Sequence, residues 1–215
     1  MPTSHPHQIT KVLELITTTD PKSLLDVGVG FGKYGFLTRE YLDLSDQTAK
    51  GGKWSRRIDG IEGFAPYISD LQRRIYDDIH IGDALEILPR LEHRYDLALL
   101  LDVLEHFDYD GGIKLLRLVR ERTRNFIVST PIDIGVQSAV YDNVLETHRF
   151  QWRKYDLAEF TPQFFIPDEY SMICYIGEDA QRIGAQLSRE HFKSRIRRMM
   201  GMRIYRFVRK ALGLR

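Results

Sequence analysis

Leu24-Leu25-Asp26-Val27-Gly28-Val29-Gly30-Phe31-Gly32 decides the architecture, because a short β-forming run passes straight into alternating glycines and a helical pattern opens at Lys33. Glycine is needed where a chain turns sharply and lets a ligand approach its backbone, and a helix starting there offers N–H groups to an anion. The stretch predicts a strand, a turn and a helix that together take a small, partly anionic ligand.

Outward from this unit the chain alternates. Ile9, Val12, Leu13 and Ile16 recur at helical spacing until Asp20-Pro21 stops them. After the turn, the pattern predicts a helix over 33–42, a polar loop over 44–55, a strand over 58–62, a helix after Pro66, and strands over 79–81 and 96–101. Ile113, Leu115, Leu116 and Val119 form the apolar side of a helix over 110–122, followed by a strand over 125–129. Such alternation predicts an α/β fold, a Rossmann-like doubly wound sheet that is mostly parallel, with helices on both faces. Residues 131–162 interrupt the rhythm with a polar, aromatic-rich insertion; 164–166 and 171–176 then read as closing strands, including an antiparallel one.

The glycine turn alone leaves the ligand open. Gly30-Phe31-Gly32-Lys33-Tyr34-Gly35 also fits the dinucleotide pattern G-x-G-x-x-G, which would make the protein an NAD-dependent oxidoreductase or epimerase. That pattern expects an acid about 20 residues on, whereas the next acid at a strand end, Glu62, comes 30 residues after Gly32. Asp26, just ahead of the glycines, would repel a pyrophosphate but attract the ammonium and sulfonium of S-adenosyl-L-methionine (SAM), while the helix N-terminus takes the methionine carboxylate.

From Leu24 to Gly177 the chain resembles the class I SAM-dependent methyltransferases. Asp26, Gly28, Gly30 and Gly32 look like the family's glycine-rich first motif. The resemblance gives Glu62 the ribose hydroxyls, Asp83 the adenine amino group, and the Ala84 N–H a ring nitrogen. Asp102-Val103-Leu104-Glu105-His106 resembles the D-x-L-E-H signature of the small-molecule branch, which places Asp102 at the cofactor too. These acids all fall at the carboxyl ends of predicted strands, the rim where open α/β sheets place ligands. A non-catalytic nucleoside-binding module is the remaining alternative.

Methyl transfer from a sulfonium needs alignment and exclusion of water, and requires no metal. A hydroxyl or protonated amine acceptor benefits from a general base, and His106 and His148 are the candidates. His148 lies in Asn143-Val144-Leu145-Glu146-Thr147-His148-Arg149-Phe150-Gln151-Trp152, which looks like the N-x-x-E-x-H-R-x-x-W stretch of a bacterial subgroup found with glycan and natural-product pathways; Phe150 stands where a serine is common. The expected acceptor is a small molecule or glycan. Tyr141, Phe150 and Trp152 are either an apolar wall over it or packed side chains, and Arg149 either holds an acidic acceptor or pairs on the surface. Nucleobase acceptors are disfavoured, since the N/D-P-P-Y/F motif is absent and the lone Cys174 falls in a closing strand.

The 215 residues suffice for one core. The sequence shows no export signal or spanning run, and its one cysteine excludes an internal disulfide and a thiolate zinc site, so a cytoplasmic protein is expected. A net charge of +1 hides an asymmetry: residues 181–215 carry eleven Lys/Arg against one acid, +10, leaving the rest at −9. Residues 1–180 are expected as the catalytic domain and 181–215 as a basic tail. Met200, Ile204, Phe207, Val208 and Ala211 line one side of a helix opposite Arg203, Arg206, Arg209 and Lys210. Such a tail suits an anionic membrane surface or the acidic body, with nucleic acid a lesser candidate.

Overall fold

The computed structural model describes residues 5–44, 54–140 and 142–211, with side chains as far as residue 199. Seven strands form one sheet in the order β3-β2-β1-β4-β5-β7-β6. They are β1 (Ser23–Val27), β2 (Arg57–Glu62), β3 (Asp78–Ile81), β4 (Tyr95–Leu101), β5 (Thr123–Pro131), β6 (Gln163–Ile166) and β7 (Ser171–Gly177). Strands β1 to β5 pair in parallel, while β7 is antiparallel to both β5 and β6. This is the expected Rossmann-like, doubly wound sheet with an antiparallel closing strand.

Period-two alternation in the strands builds two cores. Leu25, Val27, Ala98, Leu100, Phe126 and Val128 face one helix layer, with α4 (Ala84–Ile87) and α5 (Tyr109–Arg122). Leu24, Leu97, Leu99 and Ile127 face the other, where α1 (Ile9–Thr19), α2 (Lys33–Thr38), α3 (Asp70–Ile75) and the start of α6 (Ala180–Ala211) pack. Chain order reverses between β1 and β4, which opens a crevice at their carboxyl ends.

Three local differences from the sequence pattern have physical causes. The helix expected over 33–42 is α-helical only to Thr38 and continues as a π turn, Arg39–Leu44. Buried Arg39 and Asp43 are the reason for attention there: Arg39 donates to Asp43, Asp77 and the carbonyls of Ile75 and Arg56, and Arg56 donates to Asp43. An ionic cluster of this kind has no hydrophobic period to read. The short α4 is hidden for a similar reason, since a single turn capped by Asp83 is below the length at which periodicity shows.

The third difference is α6, one helix that starts at Ala180 and passes through Gly201. Ala180, Ile183 and Leu187 pack into the core, while residues 188–195 and 197–199 are exposed. The side chains of the expected amphipathic face, from Met200 onward, lie outside the described residues, as do most of the 44–55 loop and Tyr141. Among the described residues no helix is long and apolar enough to cross a membrane.

Candidate cofactor and acceptor site

A cavity of about 1110 Å³ opens at the carboxyl ends of β1, β2, β3 and β4. The β1 turn forms its floor. Gly28 has φ +82, and a Cβ there would stand 2.6 Å from Val103 Cγ2, so the turn after β1 and the turn after β4 touch only because Gly28 has no side chain. The Gly28 N–H donates to the Ile61 carbonyl at 2.8 Å. The Gly30 N–H donates to Glu62 Oε2 and the Phe64 N–H to Glu62 Oε1, both at 2.8 Å. Glu62 thus ties the glycine turn to the end of β2, and a carboxylate retains further lone pairs for hydroxyl donors. Burial raises its pKa, against the backbone N–H bonds.

Of the residues expected at the cofactor, Asp26, Gly28, Gly30, Glu62, Asp83, Ala84 and Asp102 all line this cavity. Gly32 does not: it caps the N-terminus of α2 and lies against Gln72 and Tyr76 behind the cavity wall. Gly35, the last glycine of the dinucleotide pattern, is likewise turned to Tyr76.

Asp26 departs from the simple picture of a charged carboxylate. It is buried, and burial raises its pKa to about 7, with the Tyr76 hydroxyl opposing and Glu62 adding to the rise. Asp83 accepts from the Leu85 N–H at 2.8 Å. Asp102, at φ +56 directly after β4, accepts from the Ser129 hydroxyl at 3.1 Å and from Gln8 Nε2 at 2.6 Å. Gln8, at the start of α1, and Tyr76, beyond α3, are site-shaping residues that no motif in the sequence marks.

The acceptor end is built from the turn after β4 and the insertion. The Arg149 and Phe150 N–H groups donate to the Glu105 carbonyl at 2.7 and 3.3 Å, and Trp152 Nε1 donates to the Leu104 carbonyl at 2.8 Å. Trp152 is fully buried over Gly112, where a Cβ would come within 2.1 Å of Cζ2. Trp152 and Phe150 therefore pack on α5 and on each other and do not wall the cavity. Arg149 does line it.

These anchors bring His148 to His106, with ring centroids 5.3 Å apart. His106 Nδ1 lies 3.2 Å from the Thr147 carbonyl, and His148 Nδ1 is hydrogen-bonded to the Ile134 carbonyl. A carbonyl only accepts, so each ring donates from Nδ1 in this arrangement. Burial lowers the His106 pKa to about 4, with His148 contributing and the carbonyls of Thr147 and Asp102 opposing. Glu146, also lining the cavity, accepts from the Tyr67 hydroxyl at 3.2 Å, and burial raises its pKa. Cys174 is buried in β7, away from this rim.

No family model and no curated protein matches the chain. Solved structures do match in fold. The N-terminal domain of EvdMO1, determined with SAH and D-fucose, aligns with a TM-score of 0.55 at 12% identity over 81% of this chain and 84% of that one. The methyltransferase domain of bacterial CtHen1 gives 0.53 at 17% identity over 80% and 98%. Magnesium protoporphyrin IX methyltransferase (ChlM) from Synechocystis PCC 6803, with bound SAH, gives 0.54 at 13% identity over 80% and 82%. The chain shares the methyltransferase fold with these proteins.

Proposed function

We propose that this protein is a SAM-dependent methyltransferase acting on an oxygen or nitrogen of a small-molecule or glycan-type acceptor. The observation that carries the reading is one cavity holding Asp26, Glu62, Asp83 and Asp102 at four adjacent strand ends and opening onto His106 and His148. SAM, when bound, supplies an electrophilic methyl group on a sulfonium. Glu62 and Asp83 suit the ribose hydroxyls and the adenine amino group, because carboxylates accept hydrogen bonds from such donors. Asp26 and Asp102 favour the cationic end, and the glycine turn lets the ligand lie against backbone. Neighbouring structures determined with SAH, the demethylated product, support the same cofactor.

On the acceptor side His148 is the better placed proton acceptor, since His106 at a pKa of about 4 is a weak base. Arg149 would meet an acidic group on the acceptor. The dinucleotide reading is weaker here because only Gly30 of its three glycines lines the cavity. Isothermal titration with SAM, SAH and NAD tests the proposal: SAM and SAH should bind one per chain. Preference for NAD would overturn it.

The basic tail supports a second part of the reading, peripheral attachment to an anionic membrane surface. Beyond His191, which still meets Glu14 of α1, the helix exposes Phe192, Met199 and basic residues including Lys193, Arg195 and Arg198. The expected boundary at residue 180 thereby moves: the body through Leu187 carries the reaction, because Ile183 and Leu187 belong to its core, and the later residues carry its placement.

A further inference from the structure

Glu105, His106 and His148 form a cluster whose ligand-type atoms all lie within 4.8 Å of one another. All three line the acceptor end of the cavity. Glu105 is 1% exposed, and its Oε2 has no hydrogen-bond partner among the described residues. A buried carboxylate oxygen left unpaired is costly, which makes it a pointer to a missing cationic partner. The histidines are set for the same partner: each gives its Nδ1 proton to a backbone carbonyl, the arrangement by which metal-binding imidazoles are oriented with Nε2 as ligand.

We propose that Glu105, His106 and His148 bind a divalent transition-metal cation at the acceptor end of the cavity. Two imidazoles and one carboxylate suit such cations and leave coordination positions open. The three residues line the cavity, so the acceptor this site would fit is one presenting oxygen donors, such as a hydroxyl beside a second hydroxyl or carbonyl. A bound cation would lower the pKa of a coordinated hydroxyl, whose proton would leave to water; His148 would then serve as a ligand in place of the proton acceptor of the metal-free reading, and the histidines would act on the acceptor through the cation. This role rests on the methyl-transfer reading; the cation site itself does not.

The chain is built to hold the cluster together. Residues 105 and 106 sit on the 3-10 turn after β4, and His148 is fixed beside them by the Arg149 and Phe150 N–H bonds to the Glu105 carbonyl. The backbone of one ligand therefore anchors the loop that carries another.

Full-length, chelator-treated protein titrated with cobalt(II) chloride and followed by visible absorption tests the site, with SAH affinity measured in parallel by calorimetry. One cobalt per chain is expected, weakened by at least about 10-fold in Glu105→Gln, His106→Ala and His148→Ala, with SAH affinity retained. Should Glu105→Gln fail to fold, His148→Ala, on the partly exposed insertion, decides. Absence of one-per-chain binding, or binding that survives in the folded variants, would overturn the site. Cobalt bound without SAH affinity would retain the cation site and sink the methyl-transfer reading, and the converse would do the opposite.

Discussion

The Tyr76 hydroxyl donates to Asp26 Oδ2 at 2.6 Å across 50 positions of sequence, and accepts from the Gly35 N–H at 3.2 Å. One buried phenol thereby fixes both the acid before the glycine turn and the helix after it. Tyr76→Phe leaves that carboxyl without its donor and should cost about 1–3 kcal/mol of stability. Urea denaturation measures it, and an unchanged midpoint would show that the pair contributes nothing net.

Asp26 also gives stability a pH dependence. Its pKa rises from 3.8 to about 7 on folding, so between these values the native state holds a proton that the unfolded chain releases. Its contribution is fully present below the unfolded value and is lost as pH rises through about 7. Asp26→Asn cannot titrate, so its stability relative to wild type should grow as pH rises across that window. Parallel denaturation curves with a pH-independent difference would refute the assignment.

The cofactor should feel the same titration with the opposite sign. Ionised Asp26 attracts a cationic ligand, so SAM affinity should rise through about pH 7 in the wild type and stay flatter in Asp26→Asn. Calorimetry on either side of neutrality checks this.

How much of this was legible beforehand depends on the kind of interaction. The strands and α5 could be placed because Leu97 to Leu101 and Ile113 to Val119 carry apolar periods, and the acids at strand ends followed from that placement. Gln8 and Tyr76 leave no trace in the pattern because they bond to residues 94 and 50 positions away, and the Arg39–Asp43–Arg56 cluster leaves none because charged side chains four and thirteen positions apart read as an exposed polar face. Gly32 belongs to the expected motif because a motif records spacing, whereas only the backbone path shows which glycines line the cavity. Trp152 was ambiguous until its contact with Gly112 became visible.

Gly112→Ala puts two effects in opposition. A helical Gly to Ala change gains up to about 1 kcal/mol in propensity. Overpacking against Trp152 costs about 1–3 kcal/mol, and the rigid indole cannot move aside easily. Net destabilisation is expected by thermal melting, with weaker acceptor binding as Trp152 and its loop shift. A stabilised variant would mean that the indole relocates freely.

Truncation after His191 retains Ile183, Leu187 and the His191 contact to Glu14 at 2.8 Å. The shortened protein should bind SAH as before and fail to sediment with phosphatidylglycerol vesicles. Equal sedimentation of both forms would refute the membrane role. Removing residues 181–215 is a poorer test, because it strips Ile183 and Leu187 from the core.

The carbonyls of Leu104 and Glu105 hold the insertion at Arg149, Phe150 and Trp152, and Gln151 reaches back to the Pro131 carbonyl at 3.1 Å. The segment is thus fastened at the end of β5 and at the turn after β4, so acceptor recognition is built on the same frame that holds the cofactor. Leu145 against Gly63 and Glu146 against the Tyr67 hydroxyl fasten this stretch to the end of β2 as well, so a change in what it recognises is felt by the nucleoside half.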